Sequence, residues 1–542
     1  MNVLARRPMS IVLVALLALA LSVPALAQPP GTATAPAGRQ AGTGGITPST
    51  QPASPPAAAA QAPGAGQPGG AAREPAVPDL QEKTSVTRRT IRIGGQPIAY
   101  TATTGNLVLR DDRGKAIASF FYVYYTRDGV TDLTKRPIFY SFNGGPGTAS
   151  IWMHVGFTGP RRVAYDEDGF QLRPPYQLHD NEHSILDIAD IVYIDPVGVG
   201  LSRMAPGEDP HRFHGVGDDI AAMGDFIRTF TSRQSRWKSP KFLIGESYGT
   251  TRASGLVGYL QSQHQMYMNG VVLVSMTNLG FDRGPDMSYA TTLPYMTATA
   301  WYHKRLPADL QAKPLKAVLA EAERYAMGDY TLALTKGGLI GTQERAAVAK
   351  QVARLTGVSE EFVLQGNLRI ERNRFWKELL RDKGLTVGRL DSRYTGVDRD
   401  AAGETPEADP AMQHWDGPFA GVMNTYLRDE LKWETDDKYI VWGNVRPWRQ
   451  DPDVRVWDML RRAMTQNPFL RVLVLEGYFD GATDYFSAQY TMSHLDTSGA
   501  LADRIEFALY ESGHMMYLKN AALAEAKRDL ASFIQRATGG SR

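Results

Sequence analysis

The chain of 542 residues has no cysteine. That excludes disulfides, thiolate metal sites and a cysteine nucleophile, and it leaves stability to core packing. Charge of either sign is not in excess: 59 Lys and Arg face 57 Asp and Glu, with no dense basic block, so nucleic acid is not an expected partner. A His-Glu-x-x-His run is absent. His211 and His214 lie near Asp218 and Asp219, a pattern that reads as a polar surface loop rather than a metal site. No metal and no cofactor is therefore expected. The N-terminal apolar run, Ile11 to Val23, is too short for a comfortable membrane span.

What precedes and follows that run gives it another meaning. Arg6 and Arg7 form a positive start, and Ala25-Leu26-Ala27 is a small-residue cleavage pattern before Gln28. Residues 1–27 are read as a signal peptide, with an uncleaved anchor as the alternative. The mature protein is expected to be periplasmic or secreted and to keep no membrane span. The arginine pair fits twin-arginine export poorly, and no cysteine follows to carry a lipid. Residues 28–80 are mostly Pro, Ala, Gly, Gln, Ser and Thr, too poor in large apolar surface to offset the entropy of ordering, and read as a disordered linker.

Over the whole chain, 43% hydrophobic and 21% charged residues are ordinary for a globular enzyme, and order is expected to begin near Thr84. Ser85 to Tyr100 and Thr101 to Tyr125 alternate apolar and polar residues around turns at Gly94-Gly95 and Asp111 to Gly114, the pattern of antiparallel strands. Short apolar runs follow at 137–142, 191–194, 241–244, 270–274, 471–475 and 505–510, each leading into a turn. Amphipathic stretches such as Val216 to Thr231, Thr250 to Gln263 and Ala521 to Arg536 lie among them. Strands alternating with helices predict a mainly parallel sheet covered on both faces. Residues 81–283 and 451–542 are assigned to this α/β core. Residues 284–450 break the rhythm with helical patterns such as Ala308 to Met327 and read as an inserted helical cap. Seven of the nine tryptophans fall between Trp301 and Trp457, either as pocket walls or as cap core.

Gly245-Glu246-Ser247-Tyr248-Gly249 has the form G-x-S-x-G between an expected strand and an expected helix. A sharp turn there strains the serine and exposes its hydroxyl, so Ser247 is the candidate nucleophile of an α/β-hydrolase fold. A serine hydroxyl needs a base. His514 follows a strand directly, whereas His494 sits in a helical stretch, which favours His514. Asp480 and Asp484 both follow the preceding strand, and Asp480 is nearer its end. The oxyanion of acyl transfer needs two donors. The backbone N–H of Tyr248 is one; the other is expected from Asn143-Gly144-Gly145-Pro146-Gly147.

Together these segments resemble the serine carboxypeptidase family. The resemblance rests on Phe142 to Gly147, Gly159-Pro160, Asn181 to Ser184, Ile191 to Ser202, Gly245 to Gly249, Gly477 to Asp480 and Gly513-His514-Met515, in the family's order. It implies that Gly145 gives the second oxyanion N–H and that Asn143 and Glu246 bind the free C-terminal carboxylate of a peptide or protein substrate. A protonated Glu donates to a carboxylate whereas an ionised one repels it, so activity is expected to favour acidic pH. The chain departs from the family at Thr148, where many members carry Cys, and at Trp152 to Thr158, where an acid normally assists the carboxylate site. The lack of cysteine and the Pro/Ala linker suit a bacterial member. An esterase or acyltransferase with the same triad, and a non-catalytic binding protein on the same scaffold, are the alternatives.

Overall fold

The apolar runs stack side by side because each is apolar on both faces. In the computed structural model, which describes residues 80–539, they form one ten-stranded mixed sheet. The expected signal peptide and nearly all of the expected linker lie outside the described residues. Strands β1 (Thr84–Ile93), β2 (Gln96–Arg110) and β3 (Ala116–Arg127) make an antiparallel meander. Its first turn is Gly94-Gly95, both at positive φ, as a two-residue hairpin turn requires.

Six parallel strands follow: β4 (Ile138–Phe142), β5 (Asp190–Ile194), β6 (Lys241–Glu246), β7 (Gly270–Val274), β8 (Arg471–Gly477) and β9 (Ile505–Tyr510). The lateral order is β1-β2-β3-β5-β4-β6-β7-β8-β9, with the short strand Arg203–Met204 added against β3. Alternation is strict where it matters. In β4, Phe139 enters the core on one face, while Ile138, Tyr140 and Phe142 enter the core on the other. Helices α1 (Val216–Arg233) and α2 (Tyr248–His264) cover the second face.

The chain runs from β4 outward to β5, returns past β4 to β6, and then proceeds the other way to β9. Connections leave on opposite sides of the sheet at such a reversal, so a crevice opens beyond the carboxyl ends of β4 and β6. Asn143 follows β4 and Ser247 follows β6.

Residues 275–470 are inserted between the adjacent strands β7 and β8. Helix α3 (Pro285–Tyr302) and the helices Leu315–Tyr325, Thr342–Thr356 and Arg372–Glu378 share a core of their own around Leu293, Val318, Val352 and Phe375. The helix expected across Ala308 to Met327 is interrupted, because Pro314 bars its predecessor from helical geometry and starts Leu315–Tyr325 instead. Helix α4 (Pro410–Thr425) behaves differently. Its Trp415, Phe419 and Val422 join the core on the first face of the sheet, as does Tyr439. The stretch 284–450 thus divides between two cores rather than packing as one helical body. Helices α5 (Val456–Gln466), α6 (Tyr485–Ser493) and α7 (Asn520–Ala537) return to the sheet.

Candidate active site

Ser247 sits between β6 and α2 with φ 58° and ψ −126°, a conformation that a residue with a Cβ rarely adopts. Its neighbours permit it. A Cβ on Gly245 would overlap the carbonyl oxygen of Gly249, so the two arms of the turn close only around glycine. The Ser247 N–H donates to the Val274 carbonyl of β7 at 2.9 Å, and Thr250 donates back to the Ser247 carbonyl from the first turn of α2. The hydroxyl is thereby held at a helix N-terminus, where unpaired N–H groups favour developing negative charge.

His514 follows β9, and Asp480 follows β8. The structure brings them together: Nδ1 of His514 lies 2.6 Å from Oδ2 of the fully buried Asp480. Asp480 also accepts from the N–H groups of Ala482 and Thr483 at 2.8 and 3.1 Å and from the Thr483 hydroxyl at 2.7 Å. Burial alone lowers the pKa of His514, but the charge and hydrogen bond of Asp480 outweigh it, and the net direction is upward. Asp484 serves elsewhere. It caps α6 through the Ser487 N–H and pairs with Arg372 at 2.6 Å. His494 lies at the end of α6 against the Tyr490 carbonyl.

Ser247 and His514 line one cavity of about 120 Å³ with Asn143, Gly144, Gly145 and Glu246. Neither Ser247 Oγ nor His514 Nε2 makes a hydrogen bond among the described residues. A Cβ on Gly144 would overlap the backbone nitrogen of Tyr248, which shows how closely the loop after β4 approaches the elbow. Gly145, at φ 102°, follows it into the cavity. Arg252 of α2 fixes this loop by donating to the Asn143 carbonyl at 2.6 Å while its Nε pairs with Asp219 at 2.8 Å.

Glu246 is 2% exposed. The Asn143 amide donates to its Oε2, and the Tyr517 hydroxyl lies 2.9 and 3.0 Å from its two oxygens. Burial raises its pKa to about 7, against the opposing influence of His514 and the two hydrogen bonds. At mildly acidic pH the carboxyl is therefore largely protonated and able to donate.

Trp152 to Thr158, where the resemblance expects an acid, folds as a π-helical turn over Met153–Thr158. His154 points away from the cavity. It stacks on Tyr193, lies 2.6 Å from the Tyr125 hydroxyl, and is held neutral by burial, with its pKa near 3. Trp152 is the residue of this turn that reaches the cavity, as a buried wall beside Trp442. Of the other tryptophans, Trp376 walls a neighbouring cavity, and Trp415 and Trp433 belong to the core. His211 is exposed beside Asp209, and His214 packs on Trp448. Among the described residues no group of three or more metal-ligating side chains converges.

Sequence reasoning missed several residues. Tyr517 contacts Glu246, Thr483 bridges Asp480 to the Ser275 carbonyl at 3.0 Å, and Arg389 walls the cavity. The segment around them is a strap. Leu390 accepts from the His514 N–H at 2.7 Å, Arg389 accepts from Gly481 at 2.9 Å, and Ser392 donates to Phe479 at 2.9 Å. These are backbone contacts between distant parts of the chain, so no local pattern announces them.

Residues 95–316 match the family model described as serine carboxypeptidase. Two curated plant proteins are similar: serine carboxypeptidase-like 45 of Arabidopsis thaliana, 26% identical over 225 residues, and serine carboxypeptidase-like 26 of Oryza sativa subsp. japonica, 29% identical over 167 residues. These matches cover 40% and 30% of this chain and 43% and 32% of the relatives, so the chain spans less than half the length of the curated relatives it matches. Neither is bacterial, and the expected bacterial membership draws no support from them. The crystal structure of KEX1(DELTA)P, a prohormone-processing carboxypeptidase from Saccharomyces cerevisiae, is similar in fold with a TM-score of 0.52 at 15% identity. That likeness covers 80% of this chain and 91% of the yeast one. Over residues 95–316, which hold Asn143, Gly145, Glu246 and Ser247 but neither Asp480 nor His514, the chain is thus similar in sequence to the serine carboxypeptidase family, and its fold is that of the α/β-hydrolases.

Proposed function

We propose that the protein is a serine-type carboxypeptidase that releases the C-terminal amino acid of peptides through an acyl-enzyme. One observation carries the reading: a buried, protonatable Glu246, bridged by Asn143 and Tyr517, shares a cavity with Ser247 and His514. Ser247 Oγ attacks the last peptide carbonyl as His514 Nε2 takes its proton, and Asp480 holds the imidazole by Nδ1. The Tyr248 and Gly145 N–H groups receive the oxyanion. His514 then protonates the leaving amino group, and water, deprotonated by the same imidazole, hydrolyses the ester. Asn143 and protonated Glu246 grip the terminal carboxylate.

The productive state holds Glu246 protonated and His514 neutral. The two titrate as a coupled pair, and a bound substrate carboxylate favours the proton on Glu246. Turnover of peptides with a free C-terminus is expected to fall as pH rises through about 7, and Glu246→Gln should flatten that fall. An unchanged profile in this variant would remove the carboxylate grip from the mechanism. Ser247→Ala with full turnover would remove the mechanism itself. The apolar turn at Trp152, in place of an acid, favours a second reading in which an esterase or acyltransferase uses the same triad. Comparing free and amidated C-termini with simple esters separates the two. We also infer export, from residues 1–27. The N-terminus of the exported protein is expected at Gln28; a mature protein that retains Met1 or Arg6 would exclude cleavage there.

A further inference from the structure

A second cavity, of about 490 Å³, adjoins the candidate site, and Arg389 lines both. It opens beside Gly481 and Ala482, directly after Asp480. Its walls carry three guanidinium groups, from Arg283, Arg372 and Arg389, against one carboxylate, Glu371. Two of the three cations have partners. Arg372 pairs with Asp484 at 2.6 Å and donates to the Ala482 carbonyl, while Arg389 reaches Asp409 at 3.7 Å. Glu371 is taken by the Tyr289 hydroxyl.

Arg283 has no such partner. It makes no ion pair among the described residues, and its Nη1 is buried without a hydrogen bond. Burial lowers its pKa, and Asp484 relieves this only from a distance, without an ion pair. A half-buried guanidinium left unpaired is costly unless an anion joins it.

The place of this cavity in the sheet says which part of a substrate it meets. Asn143 and Glu246 stand at the ends of β4 and β6, whereas Gly481 and Ala482 stand beyond the end of β8, two strands from β6 in the other direction. With the terminal carboxylate held on the β4 side, the acyl portion of a peptide leaves Ser247 toward β8. We propose that this second cavity is a subsite for an acidic side chain on the acyl side of the scissile bond, held by Arg283 and Arg389. The side of entry rests on the carboxypeptidase reading; the anion preference does not.

The test is calorimetric titration of the Ser247→Ala protein with N-acetylated tripeptides that differ only in Glu, Gln or Lys at the penultimate position. At about pH 6 a free Glu side chain is ionised and Glu246 is largely protonated. The Glu peptide is expected to bind at least about tenfold more tightly than the Gln peptide, and the Lys peptide most weakly. Arg283→Gln should bring Glu and Gln level, and Arg283→Lys should restore part of the difference. A ratio within one variant does not depend on how much of the protein is folded. Equal affinity for Glu and Gln before substitution, or a preference that survives Arg283→Gln, would overturn the subsite. If the preference holds while protein with Ser247 intact cleaves none of the peptides, the subsite stands and the carboxypeptidase reading falls.

Discussion

Glu246 brings a raised pKa into the cavity that Ser247 and His514 line. Its folded pKa of about 7 lies above the ordinary 4.5, because burial costs more than Tyr517, Asn143 and His514 return. The sign of the consequence follows from linkage. The stability it contributes is complete below about pH 4.5 and is lost as pH climbs through about 7, to the extent of about 3 kcal/mol. Urea midpoints of Glu246→Gln and the parent should converge at acidic pH and diverge in favour of Gln at pH 8. Tyr517→Phe removes a donor that favours the ionised carboxyl, so the pKa should rise further and turnover of free C-terminal peptides should persist to higher pH. A downward move of that alkaline limb would contradict the role given to Tyr517. Gly245→Ala drives a methyl into the Gly249 carbonyl, and loss of fluorophosphonate labelling at Ser247 is the expected result.

At the scale of elements, the strap from Arg389 to Ser392 holds the loops after β8 and β9 to one another by main-chain hydrogen bonds. A Cβ on Gly513 would overlap Asp391, which itself is locked by Arg393 at 2.6 Å. Gly513→Ala should shift the His514 loop by a fraction of an ångström and lower kcat by roughly a hundredfold with the fold retained. Equal kcat, with unchanged circular dichroism, would show that the strap does not position the imidazole. This arrangement also marks what could be read from the chain beforehand. The elbow at Gly245 to Gly249 and the parallel strands were legible because each is written in consecutive residues, as local alternation or local glycine. The strap was not, because Leu390 meets His514 across more than a hundred intervening residues. The split of the inserted stretch was hidden for a related reason. The spacing of Trp415, Phe419 and Val422 marks one apolar face of a helix, but not which core that face will join.

For the whole molecule, the absence of cysteine shifts the burden to buried contacts. The base of the sheet has one such device: Asp190, at the start of β5, accepts from Arg136 at 2.8 Å and from Arg236 at 2.5 Å, with all three side chains buried. Removing the shared anion leaves two buried cations unpaired, so Asp190→Ala should cost about 3–5 kcal/mol in chemical denaturation. A loss below about 1 kcal/mol would mean that water already reaches the pair. Thermal midpoints should be the same with and without a reducing agent.

The insertion between β7 and β8 has a temporal consequence. Synthesis delivers the serine and its elbow early, whereas the acid and the imidazole emerge only after residues 275–470 have been made. Strands that touch in the finished sheet are thus separated by a long wait, and such distant pairings form late. If Ser247 is the nucleophile and His514 its base, as proposed, the serine lacks its base until then. On the proposed mechanism, the full set of Ser247, Asp480 and His514 therefore exists only once the last strand has docked.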